Sequence, residues 1–195
     1  MKKMKIVGIT GGIGCGKTFL AGIIKRLGFS VQNPDFWVRD LYLKPDFLQV
    51  IKHEFPMVFK DGVFNKRKLR QLVFDDNKQL KKLESLIHPF LGQKLKKLIH
   101  RTALKEDVLF LDVALLLEFN WDIYCDYIIV ADVADELQKQ RVMKRDHISE
   151  EDFNKIIAVQ MDKKLKRQCA NVIIDTAAPE NIIKVQLIKF IQEIL

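Results

Sequence analysis

Short, dense apolar runs alternate along the chain with stripes of apolar residues at helical spacing. Residues 4–10 hold Ile6, Val7 and Ile9 with little polarity between them, and Gly11-Gly12 ends the run, so it reads as a buried strand. From Lys17 onward Leu20, Ile23, Ile24 and Leu27 recur at helical spacing, with Gly28 as a C-terminal stop. Residues 29–32 form a short second strand. Residues 35–105 keep helical spacing among many lysines and show no convincing strand, which predicts a helical insertion. Within it Leu80, Leu83, Leu86 and Ile87 share one face, Pro89 interrupts, and Leu91, Leu95, Leu98 and Ile99 begin another stripe. Strands return at 108–113 and 127–131, and 172–174 is a last strand before an amphipathic C-terminal helix. Helices from Asp135 to Arg145 and from Ser149 onward lie between the last two strands, Ser149 and Asp152 resembling a capping box. This order predicts the α/β class, a mainly parallel sheet flanked by helices.

Composition adds bounds rather than identity. The 195 residues, 48% of them apolar, suit one domain with a sizeable core, or a core carrying a small insertion. The apolar runs fall far short of the roughly 20 residues of a membrane span, so a soluble protein is expected. Residues 1–5 are rich in lysine, but Thr10-Gly11-Gly12 breaks the apolar stretch behind them, and no secretory leader is expected. Three cysteines without paired or metal-type spacing predict reduced thiols in a cytoplasm. The 33 Lys and Arg exceed 25 Asp and Glu, a formal charge of +8 that suits nucleic acid, an anionic membrane or a phosphorylated small ligand alike.

The choice narrows at Gly11-Gly12-Ile13-Gly14-Cys15-Gly16-Lys17-Thr18. It fits G-x-x-x-x-G-K-[ST] between a predicted strand and a predicted helix, the context a phosphate-binding loop requires. Glycines let backbone N–H groups curl round phosphate oxygens, the helix start adds its positive dipole end, Lys17 bridges β- and γ-phosphates, and the Thr18 hydroxyl holds Mg²⁺. Switch GTPases, motor ATPases and small-molecule kinases share this loop. The first class carries an N-K-x-D base-reading motif, which is missing from this sequence.

Asp35 follows the second strand, where a doubly wound sheet gathers ligand contacts, and is a candidate base for a hydroxyl acceptor. Position alone serves equally well for capping the helix through Trp37 and Leu41. Asp112 ends the run Val108-Leu109-Phe110-Leu111 as a Walker B acid would, a candidate Mg²⁺ ligand. Arg141 and Arg145, four apart on a helix, project from one face and reach phosphates together, or else join Lys139 and Lys144 on a solvated face. His88 before Pro89 either buttresses a helix break or contacts substrate. Trp37 and Trp121 read as core or interface residues. The lysine-rich stretches 66–70, 94–97 and 163–167 read as solvated faces. Cys15, inside an anion-binding loop beside Lys17, is a candidate reactive thiolate, weighed against a small residue filling a turn.

With the loop and Asp35 in hand, four segments resemble the dephospho-coenzyme A kinase family over nearly the full length. Val7-Gly8-Ile9-Thr10-Gly11-Gly12-Ile13-Gly14 is similar to the family's V-G-L-T-G-G-I-G, and Val31-Gln32-Asn33-Pro34-Asp35 to its V-I-D-A-D, with Asn33 in place of the first acid. Leu83 to Pro89 resembles L-E-x-I-x-H-P, and Asp112-Val113-Ala114-Leu115-Leu116-Leu117-Glu118 with Trp121 resembles D-V-P-L-L-F-E-x-x-W. Glu136, Gln138, Arg141, Arg145, Asp146, Gln160, Lys164 and 170–175 follow in the family's order.

The resemblance implies a P-loop kinase fold with a five-stranded core (1–34, 106–134, 168–195), a helical coenzyme-binding insertion (35–105) and a lid (135–167). It implies transfer of phosphate from ATP, with Mg²⁺, to the ribose 3′-hydroxyl of dephospho-coenzyme A; a monomer or weak homo-oligomer without nucleic-acid or membrane partners is expected. Catalysis is carried over to Asp35, Lys17 and Arg141. ATP contacts fall on Gly12, Gly14, Cys15, Gly16, Lys17, Thr18 and Phe19, then on Arg141, Arg145 and Asn171. The acceptor falls on Asp35, His88, Thr10 and Leu115, and the metal on Thr18 and Asp112. A kinase of another small metabolite and a nucleic-acid-binding ATPase are the competing readings.

Overall fold

The computed structural model describes residues 4–102 and 106–195; the first three residues and the predicted insertion end at Lys105 lie outside them. The elements are β1 (Lys5–Thr10), α1 (Lys17–Arg26), β2 (Ser30–Gln32), α2 (Pro34–Leu41), α3 (Pro45–Glu54), β3 (Phe59–Lys60), β4 (Val63–Phe64), α4 (Lys66–Asp75), α5 (Asn77–Thr102), β5 (Val108–Asp112), β6 (Tyr127–Asp132), α6 (Asp135–Asp146), α7 (Glu150–Ala158), α8 (Lys163–Gln168), β7 (Val172–Asp175) and α9 (Glu180–Ile194). They fall into two compact units, 1–33 with 99–195, and 34–98.

The first unit is built on a parallel sheet in the order β2-β5-β1-β6-β7. Its central strands β1, β5 and β6 read as apolar runs because both faces are covered, while the edge strands β2 and β7 are only partly buried. Leu20, Ile23 and Ile24 of α1 and Ile183, Leu187, Phe190 and Ile191 of α9 pack with Val7, Ile9 and Ile129 in one buried cluster. Each such side chain removed from water contributes about 1.5–3 kcal/mol. Gly28 stops α1 as predicted: its N–H bonds the Lys25 carbonyl and the Phe29 N–H the Ile24 carbonyl, the paired bonds of a Schellman motif. Register sets Ile9 beside Asp112 and Thr10 beside Val130, so the carboxyl ends of β1, β5 and β6 form one edge. The chain leaves β1 toward β2 on one side and passes from β5 to β6 on the other, and such a switch point opens a ligand crevice at that edge.

The second unit packs Leu41, Ile51, Phe55, Leu69, Leu83, Ile87 and Leu91 out of solvent. Here the structure corrects two expectations. Residues 35–105 do contain strands: β3 and β4 form a short hairpin closed by Asp61 (φ 50°) and Gly62 (φ 80°), the D-G pair that two-residue hairpins favour. Pro89 does not interrupt its helix, since α5 runs through it. Proline removes one hydrogen bond and crowds the carbonyl four residues back, but the buried stripe Leu83, Ile87, Leu91, Leu95 crosses it without a change of phase. His88 therefore lies inside a continuous helix, half-buried, and buttresses no break. Trp121 is buried as expected, while Trp37 is half-buried beneath the Lys94 ammonium, 5.3 Å from its ring centroid.

Candidate functional site

The loop after β1 lies at the carboxyl edge of the sheet. Gly14 (φ 75°) and Gly16 (φ 80°) bracket Cys15, and added Cβ atoms would meet Val142 at 2.4 Å and Thr176 at 2.7 Å, so side chains are excluded on conformational and on steric grounds. Gly16 is also the N-cap of α1, so the amides that open this helix face the crevice without intrahelical acceptors. Lys17 of the first turn pairs with Asp112 at the end of β5, their side chains 13% and 11% exposed. The predicted phosphate lysine and the predicted metal acid thus meet. Thr18 and Phe19 follow, both exposed.

Thr176, just past β7, ties a second set of groups to the loop. Its hydroxyl donates to the Cys15 carbonyl at 2.8 Å, and Arg141 of α6 donates to the same hydroxyl at 3.0 Å and to the Thr176 carbonyl at 3.2 Å. Arg141 is thereby carried to the phosphate loop. Arg145 is not: its guanidinium forks onto Asp146 with two bonds of 2.7 Å, and that exposed pair raises its pKa. The two arginines thus bond different partners, Thr176 and Asp146. Asn171 lies at the amino end of β7, away from the loop, where its side chain accepts the Ile128 N–H at 2.7 Å. Thr10 is fully buried and donates to the Ala114 carbonyl at 3.2 Å, fixing the chain beyond β5; Leu115 on that segment is half-buried. Asp35 is exposed in the first turn of α2, inside the helix rather than at its cap.

In the stretch 163–167, expected as a solvated face, Lys164, Leu165 and Arg167 are exposed, but Lys163 is half-buried and Lys166 buried. Lys166 is 2% exposed and pairs with Glu118 at 2.7 Å. Arg167 donates to Asp132 at 2.7 Å, and Lys163 reaches Asp132 at 3.2 Å and Asp135 at 2.6 Å. Burial opposes the charge on Lys163, but its bonds to Asp135 and Asp132 outweigh that and raise its pKa. Asp132 ends β6 as Asp112 ends β5, and the strand-end rule applied a second time would have found it. A cleft of about 640 Å³ beside the loop is lined by Gly12, Cys15, Gln138, Phe153, Gln160 and Lys163 among others.

Cys15 does not sit as a reactive thiolate. It is 1% exposed, and burial pushes its pKa up more than the Lys163 charge lowers it. Cys125 is pushed up to about 12, also by burial, whereas Cys169 is exposed. Alkylation near pH 7.5 is expected to mark Cys169 well before Cys15 or Cys125, because only accessible thiolate attacks. Peptide mass spectrometry over time reads the order, and labelling of Cys15 first would contradict it.

A family model described as dephospho-CoA kinase matches residues 5–180. A dephospho-CoA kinase of Bartonella henselae is 36% identical over 193 residues, 98% of this chain and 99% of that protein. A solved structure from Thermus thermophilus matches with a TM-score of 0.84 at 27% identity, covering 100% of this chain and 99% of that one. The structure of a dephospho-CoA kinase from Campylobacter jejuni matches with a TM-score of 0.63 at 25% identity, covering 97% and 96%.

Proposed function

The chain belongs to the dephospho-CoA kinase family, and from that premise we propose how its residues divide the transfer of phosphate from ATP to dephospho-CoA. The supporting observation is the Lys17–Asp112 pair at the mouth of the loop, which sets a phosphate cation and a metal-type acid at one sheet edge. ATP enters with its phosphates on the loop amides, and Lys17 exchanges Asp112 for the β- and γ-phosphates. The residues fit Mg²⁺, since the Thr18 hydroxyl and the released Asp112 carboxylate are hard oxygen donors of the kind it takes. Bound with ATP, Mg²⁺ neutralises charge on the phosphates.

Asp35 takes the proton of the ribose 3′-hydroxyl as that oxygen bonds to the γ-phosphorus and the bond to the β-phosphate oxygen breaks, releasing ADP. Arg141, oriented by Thr176, faces the charge that spreads over the transferring group. Positioning and fixed electrostatics supply most of the acceleration. Asn33 cannot accept a proton as a carboxylate does, so of the family's two acids Asp35 alone remains for the base role. The insertion 35–105 supplies the acceptor side, with His88 and Asp35, and 135–167 act as the lid. Among the described residues no helix is long and apolar enough to cross a membrane.

An acceptor panel tests the reading. ADP release with ATP and Mg²⁺ is expected with dephospho-CoA, and not with nucleoside monophosphates, sugar acids, DNA or RNA. Release driven by one of these in place of dephospho-CoA would overturn it.

A further inference from the structure

Ile13 in the loop is gripped from both sides by groups to which the proposed chemistry gives no part. Its N–H donates to Gln160 Oε1 at 3.1 Å, and its carbonyl accepts from Gln138 Nε2 at 2.8 Å. Gln138 is 5% exposed on α6, and Gln160 lies just beyond α7. A Cβ at Gly12 would come within 2.9 Å of Gln138 Nε2 and 3.5 Å of Gln160 Oε1, so both carboxamides lie against the loop backbone.

Gln160 is placed in turn by its neighbour. The Met161 N–H donates to Glu118 Oε1 at 3.1 Å, and the Lys166 ammonium pairs with that same oxygen at 2.7 Å. The Lys166 and Glu118 side chains are 3% and 11% exposed, and Glu118 Oε2 has no hydrogen-bond partner among the described residues. A buried ion pair is weak evidence for stability, because desolvation offsets much of the attraction. Its location indicates another use: it anchors the segment that carries Gln160.

We propose that Gln138 and Gln160 are positioning residues that lock the phosphate loop by holding both peptides flanking Ile13, and that the buried Glu118–Lys166 pair sets Gln160 for that task. Orientation of these peptides governs the backbone entering Gly14, and with it the direction of the amides that receive phosphate. A loop fixed before ATP arrives spends less of its binding energy on ordering.

The inference rests on the loop binding ATP as proposed above. Gln160→Ala is expected to raise the KM for ATP about three- to tenfold, the range of one net hydrogen bond, while the KM for dephospho-CoA stays unchanged. Lys166→Met should raise the ATP KM similarly, Lys166→Arg should restore it, and the double variant Gln160→Ala/Lys166→Met should be no worse than Gln160→Ala alone, since both act along one path. An unchanged ATP KM in Gln160→Ala, with only the melting temperature altered, reduces the contact to structure and overturns the proposal. A lower ATP KM overturns it too, because the contact would then hinder ATP. If Lys166→Met does not fold, Gln160→Ala decides alone. Calorimetric titration of ATP into wild type and Gln160→Ala keeps the two readings apart: a wild type that binds ATP but ignores dephospho-CoA defeats the acceptor assignment, and the titration still judges the loop.

Discussion

Asp35→Asn is expected to lower turnover of dephospho-CoA by about 10²- to 10⁴-fold, the usual contribution of a positioned general base. The substitution keeps the shape of the side chain and removes its capacity to take a proton. ATP binding should stay within about twofold of wild type, so the loss falls on kcat rather than on the KM for ATP. Asp35 lies within the first turn of α2, exposed and inside the helix rather than at its N-cap. With Asn33 two residues earlier, no neighbouring carboxylate from the family's motif is left to substitute for it. Rapid-quench measurement of the first turnover isolates the chemical step, and near-normal turnover would remove Asp35 from the base role.

Lys17→Met should lower kcat by about 10²- to 10³-fold, the scale of losing one preorganised charge-stabilising donor. It should also weaken ATP binding for a reason specific to this chain. Asp112 is paired with Lys17 and only 11% exposed, so removing the lysine leaves a poorly hydrated carboxylate facing incoming phosphates. The double variant Lys17→Met/Asp112→Asn is therefore expected to regain part of the affinity for ATP titrated without Mg²⁺, and none of the turnover. ATP titration beside steady-state kinetics separates the two effects. Equal ATP affinity in the single and double variants would show that the Asp112 charge is not the cause.

Much of the first unit is legible in the sequence because burial on both faces writes the central strands β1, β5 and β6 as apolar runs and the loop glycines fall where a strand meets a helix. The Lys17–Asp112 encounter follows from those two signals, since parallel register brings the ends of β1 and β5 together. Long-range pairing is where the pattern fails. Lys163, Lys166 and Arg167 look like a solvated run until the fold sets Asp132 and Glu118 against them. Asn171 matches its motif in order, yet it immediately precedes β7 and stands at the other end of the strand from Thr176, which touches the loop. Pro89 reads as a helix break because local sterics say so, and the buried stripe on either side overrides them. The Asp61-Gly62 hairpin has strands of two residues each, too short for alternation to show, although the turn pair itself was visible.

The reaction proposed for this chain places the γ-phosphate of ATP on the ribose 3′-oxygen of dephospho-CoA. Its most direct measurement is the product of a single incubation with ATP, Mg²⁺ and dephospho-CoA, separated by chromatography and located by phosphorus NMR with coupling to the ribose protons. One new phosphomonoester is expected, coupled to the 3′ proton and formed in step with ADP. A phosphate on another position, or ADP formed without any phosphorylated coenzyme, would contradict it.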